Sequence, residues 1–157
     1  MKLSDYHRVS LQIEALITGE PDIIANLSNI SAVLAMELEA INWVGFYLTQ
    51  GDELVLGPFQ GKPACVRITW GKGVCGTAAA TNTVQRIADV HQFEGHIACD
   101  AASNSEIVIP FVINGKVAGV LDIDSPNIGR FNEIDEQGLT LVMGKVEELL
   151  NTQANSN

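Results

Sequence analysis

Over residues 5–18 the apolar positions Tyr6, Val9, Leu11, Ile13, Leu16 and Ile17 form a loose helical stripe, which Gly19 closes. Pro21 opens a second helix, since its missing N–H is no loss at a first helical position. Its stripe, Ile23, Ile24, Leu27, Ile30, Val33, Leu34 and Leu38, keeps the helical period to Leu38. The pattern then becomes that of extended chain. Residues 41–48 (INWVGFYL) are aromatic and β-branched, and residues 53–59 (ELVLGPF) follow the turn at Gln50, Gly51 and Asp52, which reads as a hairpin. Residues 60–73, rich in Gly and Pro, read as a loop with one short strand over 66–69. Residues 73–81 (GVCGTAAAT) read as a short helix and 86–88 as a short strand, with an irregular stretch over 89–105.

The clearest hairpin pairs residues 106–113 with 116–124 through Asn114-Gly115. Asn132 is placed to cap a last helix running to Leu150, with Leu139, Val142, Val146 and Leu149 on one face. The polar tail 151–157 is expected to fray. No repeat or linker interrupts this order, ααββ(β)αβββα. It predicts an α+β fold in one domain over residues 1–157, a central antiparallel sheet with the N- and C-terminal helices packed on one face.

Composition narrows the function more than the fold. Hydrophobic residues make up 46% of the chain, enough for a core. With 9 Lys and Arg against 19 Asp and Glu, the net charge of −10 argues against nucleic acid or an anionic membrane surface as partner. No apolar run approaches the roughly 18 residues of a membrane span, and residues 1–8 lack the apolar core of a signal peptide. A cytoplasmic protein is expected.

Three cysteines, Cys65, Cys75 and Cys99, lie within residues 65–99. An odd number makes a poor structural disulfide framework. Three readings stay open: small buried residues, metal ligands, or a thiol relay. Cys75 stands at the start of a helix in GKGVCGT, where free backbone N–H groups, the helix dipole and Lys72 favour a thiolate. Cys99 lies in the irregular stretch beside His96, which is placed to orient it. A zinc set of His91, His96 and Cys99 with Cys65 or Cys75 lacks any paired CxxC spacing. In a relay, one thiol is oxidised to a sulfenic acid, a second attacks that sulfur, and an external dithiol reduces the disulfide. His91 reads as an ordinary hydrogen-bonding loop residue.

Acidic residues stand near these thiols. Asp122 and Asp124, two apart in an apolar strand, share a face. Glu106 begins the partner strand. A two-residue Asn-Gly turn pairs 113 with 116, and so 106 with 123, which turns Glu106 away from both aspartates. A three-residue loop or a bulge at Pro110 restores the parity and gathers three carboxyls. One such irregularity is expected. Clustered carboxyls share protons and hold raised pKa values, so they can protonate a polar oxygen or hold an ammonium. Trp43 and Tyr47 offer an apolar wall, and the other sixteen acids read as solvated surface.

With these residues assembled, the chain resembles the free methionine-(R)-sulfoxide reductases, which are built on a GAF-type domain. The segments that carry the resemblance are NWVGFYL (42–48), LGPFQGKPACVRI (56–68), GKGVCGTAAA (71–80), DVHQFEGHIACDAASNSEIVIP (89–110) and GVLDIDSP (119–126). The resemblance implies a GAF-like fold and reduction of free L-methionine (R)-sulfoxide, with thioredoxin as reductant and no bound cofactor or metal. By the same resemblance Cys99 attacks the sulfoxide sulfur, Cys65 resolves, and Cys75 is an additional resolving or recycling thiol. The helix-terminus reading instead favours Cys75 as the more acidic thiol, so the division of roles stays open. Glu106, Asp122 and Asp124 match the family's substrate-binding acids and Trp43 a pocket aromatic. The resemblance and the apolar N-terminal helices also point to a homodimer. The rival to a reductase is a GAF-type module that binds a small ligand for signalling, without catalysis.

Overall fold

Aromatic and β-branched runs in this chain become strands, and the periodic apolar stripes become helices that cover one side of them. The computed structural model describes residues 1–96 and 102–155. The elements are α1 (Leu3–Ile17), α2 (Ile23–Glu37), β1 (Trp43–Gln50), β2 (Glu53–Gly61), β3 (Arg67–Thr69), α3 (Gly73–Thr81), β4 (Gln85–Ile87), β5 (Ser105–Ile113), β6 (Lys116–Ser125) and α4 (Glu133–Asn155), with a 3-10 turn at Val90–Gln92. Every strand pair is antiparallel, and the six strands lie in the order β3-β2-β1-β6-β5-β4. The two hairpins, β1–β2 and β5–β6, are thus joined side by side through β1 and β6.

Alternation along the strands divides the side chains between two cores. Val44, Phe46, Ile107, Ile109, Leu121 and Ile123 face α1, α2 and α4, where they meet Tyr6, Ile13, Leu27, Leu34, Leu139 and Val146. The N- and C-terminal helices therefore pack on one face, as the sequence predicts. Trp43, Tyr47, Val108 and Val120 point the other way, towards a smaller core with Leu54, Ile68, Val74 and Cys75. Among the described residues no helix is long and apolar enough to cross a membrane.

Three sequence expectations need correction. Pro21 does not open α2: Asp22 caps it, its side chain accepting from the Ala25 N–H at 2.9 Å, and Pro21 lies just before. A carboxylate that satisfies a free N–H outweighs a preset φ. The acids outside the predicted site are not all solvated either. Asp135 is 2% exposed, accepting from the Tyr6 hydroxyl at 2.6 Å, the Asn132 N–H at 2.9 Å and Arg130 at 3.2 Å. It answers the Asn132 cap, whose Oδ1 accepts from the Asp135 N–H, as the third residue of a capping box.

The third correction is the tail, where α4 continues to Asn155 instead of fraying after Leu150. Its polar side chains hold the sheet. Asn151 Nδ2 donates to the carbonyls of Val112 and Glu147, and Asn151 Oδ1 accepts from the Asn114 N–H. Gln153 donates to the Ile17 carbonyl at 2.8 Å.

These contacts matter because they grip the one irregularity of the β5–β6 hairpin. The turn is the tight two-residue one, Ile113 opposite Lys116, with positive φ at Asn114 and Gly115. Val112 faces Val117, but Phe111 faces Gly119, so Ala118 is an extra residue and the register shifts by one. From there on Glu106 faces Asp124 and Val108 faces Asp122. The parity is restored as expected, though by a bulge at Ala118 rather than at Pro110 or in the turn. The Val112 N–H beside the bulge is taken by Glu147 Oε2 at 2.8 Å. We expect Asn151→Ala to destabilise the fold by about 1–2 kcal/mol, because it strips partners from the Val112 carbonyl and the Asn114 N–H. Denaturant unfolding at constant m-value checks this.

Candidate active site

On the side of the sheet away from α1, α2 and α4, directly opposed residues share a face. One cross-strand row reads Ile87, Glu106, Asp124 and Trp43. The next reads Val108, Asp122, Gly45 and Phe59. Three carboxyls are thereby set side by side next to an aromatic. Trp43 is stacked between Phe59, with ring centroids 5.2 Å apart, and Tyr47 at 5.9 Å. Gly45 allows this close packing: a Cβ there would lie 2.2 Å from the Phe59 Cβ and 2.8 Å from the Pro58 carbonyl. Gly45→Ala is expected to push β2 away and destabilise the fold by about 1–3 kcal/mol. Loss of near-ultraviolet aromatic circular dichroism should accompany the lower melting temperature.

The cavity above these rows has a volume of about 50 Å³. Its described lining takes Trp43 and Tyr47 from β1, Glu106 from β5, and Asp122 and Asp124 from β6. Lys72, Gly73, Val74 and Cys75 come from the start of α3, and Pro63, Ala64, His96 and Ser103 from loops. The loop before Val66 is pinned by the polar tips of the aromatic wall. The Trp43 indole N–H donates to the Lys62 carbonyl at 3.1 Å, and the Tyr47 hydroxyl donates to the Cys65 carbonyl at 2.9 Å. For these two aromatics sheet packing and pocket lining are one and the same.

Burial controls the electrostatics. Glu106 is 7% and Asp122 5% exposed. Burial, with Asp122 alongside, holds the Glu106 carboxyl well above the usual range. Burial, with the charge of Asp124 alongside, does the same for Asp122. Such carboxyls keep protons that solvated acids lose. Among the described residues, Asp122 Oδ1 is buried and has no hydrogen-bond partner.

Cys75 is a free thiol 5% exposed, with Sγ 3.8 Å from Glu106 Oε2. Burial, followed by the fields of Asp122, Glu106 and Asp124, pushes its thiol up. This reverses the expectation that the helix terminus makes Cys75 the more acidic thiol: loss of solvent and three nearby acids outweigh a dipole and one lysine. Cys65, half-buried in the pinned loop, is disulfide-bonded. Cys99 lies outside the described residues.

His91 plays the loop role expected of it, its Nε2 3.0 Å from Asn104 Oδ1. His96 reaches the pocket wall, and burial and the neighbouring His91 lower its pKa. Among the described residues, Cys75, Glu106 and Asp122 form a group of three whose ligand atoms come within 4.8 Å of one another; the histidine set weighed from the sequence includes Cys99, which lies outside the described residues. Lys72 and Ser103 were missed as lining residues. Tyr47 was seen as a wall but not as a site residue, although the two-residue period from Trp43 through Gly45 marks it.

The GAF domain family matches residues 27–151. A free methionine-R-sulfoxide reductase of Escherichia coli (strain K12) is 57% identical over 151 residues, which cover 96% of this chain and 92% of that protein. Two solved structures share the fold. The fRMsr of Staphylococcus aureus in complex with substrate has a TM-score of 0.88 at 52% identity, covering 92% of this chain and 95% of that one. The free methionine-R-sulfoxide reductase from Neisseria meningitidis in complex with its substrate has a TM-score of 0.91 at 42% identity, covering 97% and 92%. With such identity over almost the whole length, and an acid-lined pocket on a six-stranded antiparallel sheet, this chain belongs to the free methionine-R-sulfoxide reductase family of GAF-domain proteins.

Proposed function

We propose that this protein reduces free L-methionine (R)-sulfoxide to L-methionine by a thiol relay that thioredoxin recharges. The observation that carries the reading is the trio Glu106, Asp122 and Asp124 on one face beside Trp43, with burial raising the carboxyls of Glu106 and Asp122 well above the usual range. A sulfoxide oxygen leaves poorly until it gains protons, and a neutral carboxylic acid supplies one where water is scarce. A carboxylate in the same cluster takes the substrate's ammonium. Trp43 faces the apolar part of the side chain, and the walled pocket favours a free amino acid over a residue within a polypeptide.

The steps balance without a cofactor. Cys99 attacks the sulfoxide sulfur, methionine leaves with the sulfur–oxygen bond broken, and Cys99 carries the oxygen as a sulfenic acid. Cys65 then attacks Cys99, releasing water and forming a disulfide. A thioredoxin dithiol reduces that disulfide and restores both thiols. The disulfide already made by Cys65, with Cys75 left free, supports Cys65 as the resolving thiol. The homodimer and the cytoplasmic setting that the sequence points to belong to the same proposal. Incubation with the separate R and S sulfoxides and a dithiol tests it: the R form is consumed and the S form is not. Failure to convert the R form overturns the reading.

A further inference from the structure

The geometry points to a binding site for a soft divalent cation of the zinc class, formed by Cys75 Sγ, Glu106 and Asp122 at the base of the pocket. One ligand atom from each lies within 4.8 Å of the other two, and all three residues are buried. Ligand lengths of about 2.3 Å to sulfur and about 2.1 Å to oxygen put neighbouring ligands of a tetrahedral ion about 3.6 Å apart. The observed separation of Cys75 Sγ from Glu106 Oε2 is 3.8 Å, so the pair already stands almost at that spacing. Asp122 supplies the observation independent of the cluster's own spacing: the residue lines the cavity, and its buried Oδ1 has no hydrogen-bond partner among the described residues.

Ligand chemistry selects the ion. One thiolate with two carboxylates suits zinc or cobalt, whereas magnesium and calcium prefer oxygen alone. Three protein ligands leave the fourth position to face the cavity, open to water or to a small molecule. Held there, the ion takes up the acids that would otherwise meet a ligand's ammonium, so it acts as a reversible occupant of the pocket. This site depends on Cys75 and Asp122, and not on Cys65 or Cys99.

Cobalt(II) reports a bound thiolate through charge-transfer absorption in the near ultraviolet. Titrated into a Cys65→Ser/Cys99→Ser double variant, in which Cys75 is the remaining thiol, it is expected to give that band at one ion per chain, and zinc to bleach it. The oxidised natural protein, whose Cys65 is held in its disulfide, provides a second preparation should the double variant fold poorly. Cys75→Ser should remove the band, and Asp122→Asn should weaken cobalt binding at least about tenfold, since even loss of a partner that only supports a ligand costs that much. Absence of the band from both preparations overturns the site. So does a band that survives Cys75→Ser, or an affinity indifferent to Asp122→Asn.

Discussion

A Cys99→Ser variant is expected to lose sulfoxide reduction altogether, including the first turnover, which needs no external reductant, whereas Cys75→Ser keeps that first turnover. Removing an enzyme's nucleophile lowers kcat by on the order of 10⁴-fold or more, and a serine hydroxyl cannot replace a thiolate at a sulfoxide sulfur. Cys75 is badly placed for the attack. It is buried, and Asp122, Glu106 and Asp124 all disfavour its thiolate. Cys65, by contrast, is already engaged in a disulfide. Cys65→Ser should therefore release one methionine per chain and stop, with a sulfenic acid that a dimedone-type reagent traps. Quenched single-turnover assays count the methionine, and mass spectrometry locates the disulfide. A first turnover that vanishes in Cys75→Ser and survives in Cys99→Ser would transfer the attacking role to Cys75.

Much of this site was legible because strands expose their alternation. Asp122 and Asp124 interrupt an apolar run at a spacing of two, which puts them on one face, and the failed parity of Glu106 called for a bulge. The bulge's position was not legible, because Ala118 carries no local turn signal. It is fixed by Glu147 and Asn151 on α4, far along the chain, which satisfy Val112 and Asn114. The same long-range demand turned a polar tail into the end of a helix. Asp135 escaped notice because its burial depends on Tyr6, 129 positions away. The acidity of Cys75 was misread for a similar reason. Its helix terminus is visible in GKGVCGT, but the carboxyls that face it arrive from β5 and β6.

Removing the pocket acids should move activity and stability in opposite directions. In Asp122→Asn or Glu106→Gln, kcat/KM for the R sulfoxide is expected to fall by about 10²–10⁴-fold, the usual worth of a positioned proton donor. The wild-type rate should decline as pH rises through the raised carboxyl value, because the working form is the neutral acid. Stability follows the same titration. A carboxyl whose folded value lies above its ordinary value of about 4 leaves stability undiminished while both states are protonated. Above that ordinary value the unfolded chain ionises first, and stability drains away until the pH passes the folded value. Glu106 and Asp122 both shift this way, so they weaken the fold at neutral and alkaline pH. An amide in either place removes the charge without emptying the space. Glu106→Gln should thus melt higher than wild type above neutrality, by about 2–4 °C for each kcal/mol recovered, with the gap closing towards pH 4. Melting curves across that range, read beside the rates, distinguish this from simple misfolding, which would lower the melting temperature at every pH. A wild-type rate that stays level as pH rises through the raised carboxyl value would mean that the proton for the sulfoxide oxygen comes from elsewhere.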